Sequence, residues 1–384
     1  MRERNPGDRL RLAFAFGGKA VEHDLSVKSA LYLLAHVDRA RFEALSIYVD
    51  EAGSLSGFAP AAEKLRRFIR EDGDKIFGPK DRVPADFEDW AVSTLPSDRP
   101  GEALRLLTCG EVDVVFPVFH GQGGEDGIFQ GFLETLGLPY VGCDISGSIL
   151  GNDKAYNKAV CRNAGIAVAD FLVYDRDEWA AADRAALRET ERVLGYPVFV
   201  KPPCLGSSMG VSKAKDRGEL EAAAALAFTY GSRVILERAL VGPEYGIGLI
   251  GNDRPLVSAI VEFGGCPGFL SYEAKYGPGA FEDRIPALLD PAIEREMRAM
   301  AVRIYRLLGL RGMSRLDFFV VDGKPFFGES NTVPGFGRTS VFSKMWEVAG
   351  IDLRALIGKL VEFALEGDEA GATSRKPTAG GYGG

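Results

Sequence analysis

The sequence predicts a mixed α/β fold, and three observations support this prediction. Apolar runs alternate with amphipathic segments early in the chain, as in 10–16 followed by 24–36. Glycines follow the apolar runs at 17–18 and 121–124, which is typical of strand ends in open parallel sheets. Farther along, 314–340 reads as two apolar strands joined by an Asp-Gly turn. We therefore expect an open parallel sheet first and hairpins later.

The N-terminal part contains the pattern of that open sheet. Strands are expected at 10–16, 42–49 and 112–118, and helices at 24–36 and 127–136. Residues 59–100 combine charge, Pro and Gly with weak periodicity, so we expect loops and short elements there. Ligands of open sheets bind beyond the carboxyl ends of the strands, which directs attention to the loops after the first and third strands.

The remainder of the chain is predicted to alternate helices with short strands and hairpins. Helices are expected at 153–164, 219–228, 291–308 and 351–365, and strands within 193–203 and at 234–237, 245–250, 255–261, 316–321 and 325–331. The end of the chain is rich in Gly, Ala and charge, so it is predicted to be disordered.

Composition and charge narrow the class of protein. The chain has 384 residues, 46% of them hydrophobic and 26% charged, as expected for a soluble protein of two or three domains. The formal net charge of −8 argues against a broad nucleic-acid surface. Five cysteines without a C-x-x-C pair favour free thiols in a reducing cytosol. No signal-peptide core or membrane-length apolar run is present, so we expect a cytoplasmic protein.

The hairpin at 314–340 contains carboxylates among apolar residues. If its loop holds an odd number of residues, such as 322–324, Asp317 lies opposite Glu329 on the face that also carries Asn331. These oxygen ligands suit Mg²⁺ bound together with substrate phosphates. The alternative is a structural ion pair of Arg315 with Asp317 or Glu329.

Two lysines occur where a phosphate could bind. Lys201 interrupts an apolar strand that leads into the glycine-rich loop 206–210, and a lysine in a core needs an anionic partner. The loop is not a Walker A motif, and an ordinary turn remains an alternative. Asp153 precedes Lys154 at a helix start, which by itself favours an N-cap with a solvated lysine.

Other polar residues follow predicted strands. Glu237 and Glu244 could accept hydrogen bonds from a nucleotide or could lie on the surface. His120 could contact a ligand or make a structural hydrogen bond, and Glu22 lies in the loop after the first strand. The charged, aromatic segment 272–276 follows glycines and is a candidate lid or an exposed loop.

In this order the motifs resemble the D-alanine–D-alanine ligases of the ATP-grasp superfamily. The similarity runs from Leu10 to about Leu365 and is carried by GGKAVEHDLSVKSA, HGQGGEDGIFQGFLETLGLPYVG, YEAKYG and RLDFF…GESNTVPGF. The family implies a three-domain ATP-grasp architecture. It would comprise an N-terminal α/β substrate domain at 1–142, a central ATP-grasp subdomain at 143–237, a C-terminal ATP-grasp subdomain at 238–366, and a disordered tail at 367–384.

The resemblance also implies roles for individual residues. The residues that would bind ATP are Lys154, Lys201, Ser208 and Lys275 at the phosphates, Glu237 and the Leu240 backbone at the adenine edge, Glu244 at the ribose and Phe269 on the base face. Two Mg²⁺ or Mn²⁺ ions would be held by Asp317, Glu329 and Asn331. The residues that would bind or activate amino acids are Glu22 with Ser207 and Tyr276 at the first ammonium, His120 near the first amino acid, Arg315 and the Gly335 N–H at the oxyanion, and Ser340 at the second carboxylate.

The implied activity is ADP-forming ligation of two D-alanines through a D-alanyl phosphate, for peptidoglycan synthesis, with a homodimer as the expected assembly. The chain departs from the family pattern at Cys204-Leu205, where Arg-Glu is common, and at Gly337 after Phe336. Some segments also resemble the D-alanine–D-lactate branch of glycopeptide-resistant cells, but the Tyr-Glu-Ala-Lys-Tyr segment favours D-alanine as second substrate. A binding protein without catalysis is the rival class, although no expected phosphate lysine or metal carboxylate is missing.

Overall fold

A computed structural model describes residues 8–78, 83–97, 99, 101–181, 184–206, 209–264 and 283–374, the last seven of these by their backbone alone. Its first sheet is parallel, with strand order β2-β1-β3. These strands are β1 (Leu10–Gly17), β2 (Phe42–Val49) and β3 (Val114–Pro117). β1 lies in the middle and its residues 12–16 are inaccessible to solvent, which explains the continuous apolar run. The predicted open parallel sheet is therefore confirmed.

Helices cover this sheet and lead into the next part of the chain. They are α1 (His23–His36), α2 (Phe58–Phe77), α3 (Phe87–Ser93), α4 (Glu102–Thr108), α5 (Ile128–Leu136), α6 (Ile145–Asn152) and α7 (Lys154–Asn163). The 20-residue helix α2 corrects the prediction of loops and short elements in 59–100. Its apolar stripe, which includes Leu65, Phe68 and Ile76, is buried against the core. The many charges between these residues concealed the helical period.

A second sheet is antiparallel, with order β4-β7-β5-β6. Its strands are β4 (Phe171–Asp175), β5 (Val198–Lys201), β6 (Ser212–Ala214) and β7 (Arg233–Arg238). The associated helices are α8 (Arg176–Ala180), α9 (Ala185–Val193) and α10 (Arg217–Ala227). Apolar residues of α9 and α10 pack on β5 and β7 to form a separate small core.

A third sheet is also antiparallel, with order β11-β10-β8-β9. Its strands are β8 (Glu244–Gly251), β9 (Leu256–Glu262), β10 (Gly312–Val321) and β11 (Lys324–Asn331). The helix α11 (Pro291–Leu307) buries Met297, Ala301 and Ile304 with apolar residues of this sheet. A parallel bridge between Val168 and Phe327 joins the sheet to the segment before β4.

The last helices, α12 (Val341–Val348) and α13 (Leu353–Ser374), return to the N-terminal core. Phe116 on β3 contacts Phe336 with ring centroids 5.6 Å apart, and Phe336 contacts Phe342 at 5.7 Å. Helix α13 continues to Ser374, so the predicted disorder of the tail is wrong for residues 367–374. Residues 375–384 lie outside the described part of the chain. Among the described residues, no helix is long and apolar enough to cross a membrane.

Candidate active site

The hairpin β10–β11 places Asp317 opposite Glu329, as predicted, and Arg315 opposite Asn331. The way it does so differs from the prediction. The turn contains two residues, Asp322 and Gly323, both with positive φ, as tight hairpin turns require. The odd residue is instead Gly328, which has no partner because the register shifts between Asp317 and Phe318. The bulge therefore brings the carboxylates together, and the expectation of a three-residue loop is corrected.

Charged groups on this hairpin face are close enough to interact. The Arg315 guanidinium donates to both oxygens of Asp317 at 2.8 Å, and Asn331 Nδ2 donates to Asp317 Oδ2 at 3.1 Å. Burial alone would lower the pKa of Arg315, but the attraction of Asp317 and its hydrogen bonds raise it overall. The Arg315–Asp317 ion pair that the sequence left as an alternative is therefore present. Its oxygens and those of Glu329 and Asn331 still form a hard donor set.

Lys154 approaches the hairpin from the first turn of α7. Asp153 caps this helix by accepting from the backbone N–H groups of Ala155 and Tyr156. The expected solvated lysine is wrong, because Lys154 is buried, with its Nζ 3.0 Å from the Leu205 carbonyl and 3.3 Å from Glu329 Oε2. Burial would lower the pKa of Lys154, and the Glu329 carboxylate outweighs this and raises it.

The atypical Cys204 lies beside the same helix start. Its Sγ donates to Asp153 Oδ2 at 3.4 Å, and Arg233 from β7 donates to that oxygen at 2.6 Å. Arg233 also covers the ring of Tyr156, with its guanidinium carbon 4.7 Å from the ring centre. Arg233 thus pairs with the capping carboxylate of Asp153, in a chain where Cys204 stands in place of the arginine that is common in the family.

Glu237 lies inside the second sheet rather than on the surface. Its Oε2 is 2.9 Å from Lys201 Nζ and 3.4 Å from Lys158 Nζ. Burial would raise the pKa of Glu237, but Lys158 and Lys201 lower it overall. Lys201 thus has the anionic partner that its position in a strand required.

The other two residues expected at the nucleotide lie farther along the chain. Leu240 follows β7 and is half-buried, and Glu244 begins β8 opposite Phe319.

The loops after β1 and β3 bring further polar groups together around Gly121. A Cβ added to Gly121 would lie 2.9 Å from Glu22 Oε2, so the two are adjacent. Gly121 N–H donates to Glu125 Oε1 at 3.0 Å. Burial raises the pKa of Glu125 to about 7, with a further contribution from Glu22 that Lys154 opposes. The parallel sheet therefore places its carboxylates in loops at strand ends.

His120 is buried beside this loop. Its Nε2 is 3.4 Å from Ser29 Oγ on α1, and it also hydrogen-bonds the Val333 backbone. Burial lowers the pKa of His120 to about 4, so the ring is neutral at physiological pH. The structural hydrogen bond that was one of the two alternatives is present.

The segment after β11 completes the described part of the site. Ser340 Oγ donates to the Gly335 carbonyl, and Ser340 N–H donates to Gly337 O at 2.8 Å. The expected oxyanion donor and carboxylate-binding hydroxyl are therefore adjacent. Five predicted site residues lie outside the described residues: Ser207, Ser208, Phe269, Lys275 and Tyr276. The segment 272–276, the candidate lid, also lies outside the described residues.

Sequence reasoning gave no role to Glu125, Lys158 or Arg233. Glu125 stands in the quoted HGQGGEDG motif, and Lys158 lies one helical turn after Lys154, so both had a detectable signal. Arg233 precedes β7's apolar core and has no such signal, because its partner Asp153 is 80 residues away.

Comparisons with known proteins concern nearly the whole chain. The family model described as D-ala D-ala ligase N-terminus matches residues 11–143, and that described as D-ala D-ala ligase C-terminus matches residues 160–362. A D-alanine--D-alanine ligase of Caldicellulosiruptor bescii is 37% identical over 360 residues, which cover 93% of this chain and 96% of the relative.

Solved structures agree with these matches. The VanG D-Ala:D-Ser ligase from Enterococcus faecalis has a TM-score of 0.75 at 30% identity, over 93% of this chain and 100% of that one. The D-alanine-D-alanine ligase from Coxiella burnetii has a TM-score of 0.73 at 25% identity, over 95% and 98% of the two chains.

Proposed function

Because this chain belongs to the D-alanine–D-alanine ligase family, we propose that it joins two D-alanine molecules to D-alanyl-D-alanine at the expense of ATP, for peptidoglycan precursor synthesis. The family predicted from the motifs is thus confirmed. The observation that carries the proposal is the contact between Lys154 and Glu329, which joins α7 to the Asp317–Glu329 hairpin. A buried cation beside paired carboxylates is the arrangement that phosphoryl transfer between anions needs.

The first chemical step forms D-alanyl phosphate. A carboxylate oxygen of the first D-alanine attacks the γ-phosphorus, the bond to the bridging oxygen breaks, and ADP leaves with that electron pair. Lys154 and Lys201 would neutralise the phosphates, with Ser208 and Lys275 proposed at the same group from the resemblance. Glu237 and the Leu240 backbone would bind the adenine edge, Glu244 the ribose and Phe269 the base face.

The hairpin fits the divalent cations that the family uses. Asp317, Glu329 and Asn331 offer only hard oxygen ligands, and the ammonium of Lys154 and the guanidinium of Arg315 already lie against the carboxylates as stand-in cations. These residues would hold two Mg²⁺ or Mn²⁺ ions. Such ions screen phosphate charge and orient the transferred group.

The second step forms the peptide bond. The neutral amine of the second D-alanine attacks the acyl carbon and a tetrahedral oxyanion forms. When it collapses, the bond from carbon to the phosphate oxygen breaks, the nitrogen loses one proton, and the departing phosphate takes that proton up. The Arg315 guanidinium and the Gly335 N–H would stabilise the oxyanion. Ser340 would hold the second carboxylate, Glu22 with Ser207 and Tyr276 the first ammonium, and His120 would lie near the first amino acid.

We extend the proposal to domains, assembly and location. The division at 1–142, 143–237 and 238–366 is supported by three separate sheets, although α13 packs on the N-terminal core and continues beyond the last boundary to Ser374. The proposal of a homodimer follows from the family. The proposal of a cytoplasmic location follows from the free thiols of the described cysteines.

Product identification tests the reaction. The full chain is incubated with ATP, Mg²⁺ and D-alanine, phosphate release is followed, and products are identified by mass. D-alanyl-D-alanine is expected, and the absence of D-alanine-dependent phosphate release would refute the ligase. The 30% identity to a D-Ala:D-Ser ligase favours D-serine as a second candidate for the attacking amine. Parallel reactions with D-serine and with D-lactate, the depsipeptide alternative, separate these specificities.

A further inference from the structure

Lys158 is a buried cation to which the proposed reaction assigns no step. It lies on α7 four residues after Lys154, and 1% of its surface is exposed. Burying an ammonium group is costly unless it is paired and hydrogen-bonded. Its partner in this structure is Glu237, whose Oε2 is 3.4 Å away. Burial lowers the pKa of Lys158, and the Glu237 carboxylate opposes that effect.

The hydrogen bonding of Glu237 is one-sided. Lys158 and Lys201 both approach Oε2, while the buried Oε1 has no hydrogen-bond partner among the described residues. A pair that served only to stabilise the fold would be expected to satisfy both oxygens, since an unpaired buried acceptor loses its hydration without compensation. One carboxylate oxygen is therefore saturated by cations, and the other remains available as an acceptor.

We propose that Lys158 is a positioning residue for recognition of the nucleotide base. It holds Glu237 by Oε2, so that Oε1 acts only as an acceptor and selects a base with an amino group at C6. Adenine presents an N–H donor at C6. Guanine and hypoxanthine, the base of ITP, present a carbonyl oxygen there, which an ionised carboxylate repels. The inference rests on the proposed use of ATP, and it adds the residue that makes Glu237 selective.

The charges around Glu237 support this assignment. Lys158 and Lys154 approach from α7 and Lys201 from β5, and all three lower the pKa of Glu237 against the effect of burial. Without Lys158, the buried carboxyl group would bind a proton more readily. A protonated Glu237 can donate to a carbonyl at C6, so selectivity between the two kinds of base should fall.

The test compares ATP with ITP, which differ in the C6 group. Calorimetry measures binding of each nucleotide with Mg²⁺ to the full chain without D-alanine, and a thermal melt verifies folding. The wild type is expected to bind ATP at least about tenfold more tightly than ITP, because one hydrogen bond to a charged group typically changes the affinity by that factor. In Lys158→Met the preference should fall below about threefold, chiefly through weaker ATP binding. Lys28→Met, which removes a lysine paired with Asp72 at 2.9 Å, should keep the wild-type ratio.

Two further variants separate positioning from folding. Glu237→Gln can present an amide donor and should lose the preference for ATP. The double variant K158M/E237Q replaces the buried charged pair with neutral groups, so it should fold even if K158M does not. Its ATP-to-ITP ratio should equal that of E237Q if Lys158 acts through Glu237.

Three results would overturn the inference. These are a wild type that binds ITP as well as ATP, a folded K158M with the wild-type ratio, and a double variant whose ratio differs from that of E237Q. Phosphate release with D-alanine, measured on the same preparations, tests the ligase reaction separately. If Lys158 determines the preference for ATP but D-alanine causes no phosphate release, only the proposed ligase reaction is refuted.

Discussion

The N-terminal sheet and the β10–β11 hairpin both contribute carboxylates to the candidate site, but they do so in different ways. In the parallel sheet, β1 is buried on both faces, and Glu22 and Glu125 lie in loops beyond the strand ends. In the hairpin, Asp317 and Glu329 belong to the strands themselves. A strand buried on both faces leaves no position for a charge, whereas an antiparallel sheet can pack one face on a helix and use the other.

This difference predicts that the hairpin and the loops of the parallel sheet serve different steps of the reaction. Groups on paired strands are held by ladder hydrogen bonds, on both sides in β10 and on one side in the edge strand β11, so they suit steps that need fixed geometry, such as charge stabilisation in a transition state. Groups in loops are held by fewer backbone bonds and suit substrate capture. Variants of the hairpin should therefore act mainly on kcat, and variants of the loops mainly on KM.

The largest effect is expected for Glu329→Gln. The substitution keeps the size of the side chain but removes the anion that faces Lys154 and would bind a divalent cation. Phosphate release with ATP, Mg²⁺ and D-alanine should fall by at least about a thousandfold, because metal-assisted stabilisation supplies several kcal/mol. The circular dichroism spectrum should stay unchanged. Asp322→Asn, in the turn of the same hairpin, is the control and should retain full activity; an active E329Q would refute the metal assignment.

Arg315→Met should have the next largest effect. Loss of one oxyanion donor typically raises the barrier by about 3 kcal/mol, which corresponds to roughly a hundredfold in kcat. The variant also leaves Asp317 without its bidentate partner, so some loss of thermal stability is expected as well. Steady-state kinetics should place the loss in kcat. Arg284→Met removes an exposed ion pair with Glu262 and serves as control. A variant altered only in KM would contradict the role of Arg315 in the transition state.

The hairpin also illustrates what could be predicted from the sequence. Alternation within each strand placed Asp317, Glu329 and Asn331 on one face, because a period of two is visible in a short apolar run. The Gly328 bulge could not be foreseen, since one unpaired residue leaves no periodic signal and here produces the same pairing as an odd loop. The position of the bulge depends on backbone contacts that composition does not encode, whereas the Asp-Gly turn itself was visible in the sequence.

Burial was harder to predict than secondary structure. The helix start by itself favoured a solvated Lys154, and only the resemblance gave it a role at ATP, because its partner Glu329 lies 175 positions later in the chain. The same limit applies to Glu237, which had no assigned surroundings until β5 and α7 placed Lys201 and Lys158 beside it. Local patterns identify elements, and long-range pairing decides which charges are enclosed.

In the loops, Glu22→Gln should weaken substrate capture. Its carboxylate is proposed to bind the ammonium of the first D-alanine, and an amide retains the shape but loses the charge. The KM for the first D-alanine should rise about tenfold, as expected for the loss of a charged hydrogen bond, while kcat changes little. Initial rates over a wide range of D-alanine concentration separate the two binding events. Asp24→Asn, at an exposed position in the first turn of α1, is the matched control. A fall in kcat alone would remove the contrast between loop and strand.

The smallest effect is a pH dependence of stability at Glu125. Burial raises the pKa of this group to about 7 from 4.5, so between these values the folded chain binds more protons than the unfolded chain. Its contribution to stability is therefore complete below pH 4.5 and is lost as pH rises through 7. Glu125→Gln can still accept from Gly121 N–H but does not titrate. From pH 5 to pH 8, the melting temperature of the wild type should fall by about 2 °C or more relative to E125Q. Glu63→Gln, on the exposed face of α2, should follow the wild type, and parallel curves for wild type and E125Q would show that the Glu125 carboxylate is hydrated like an ordinary surface group.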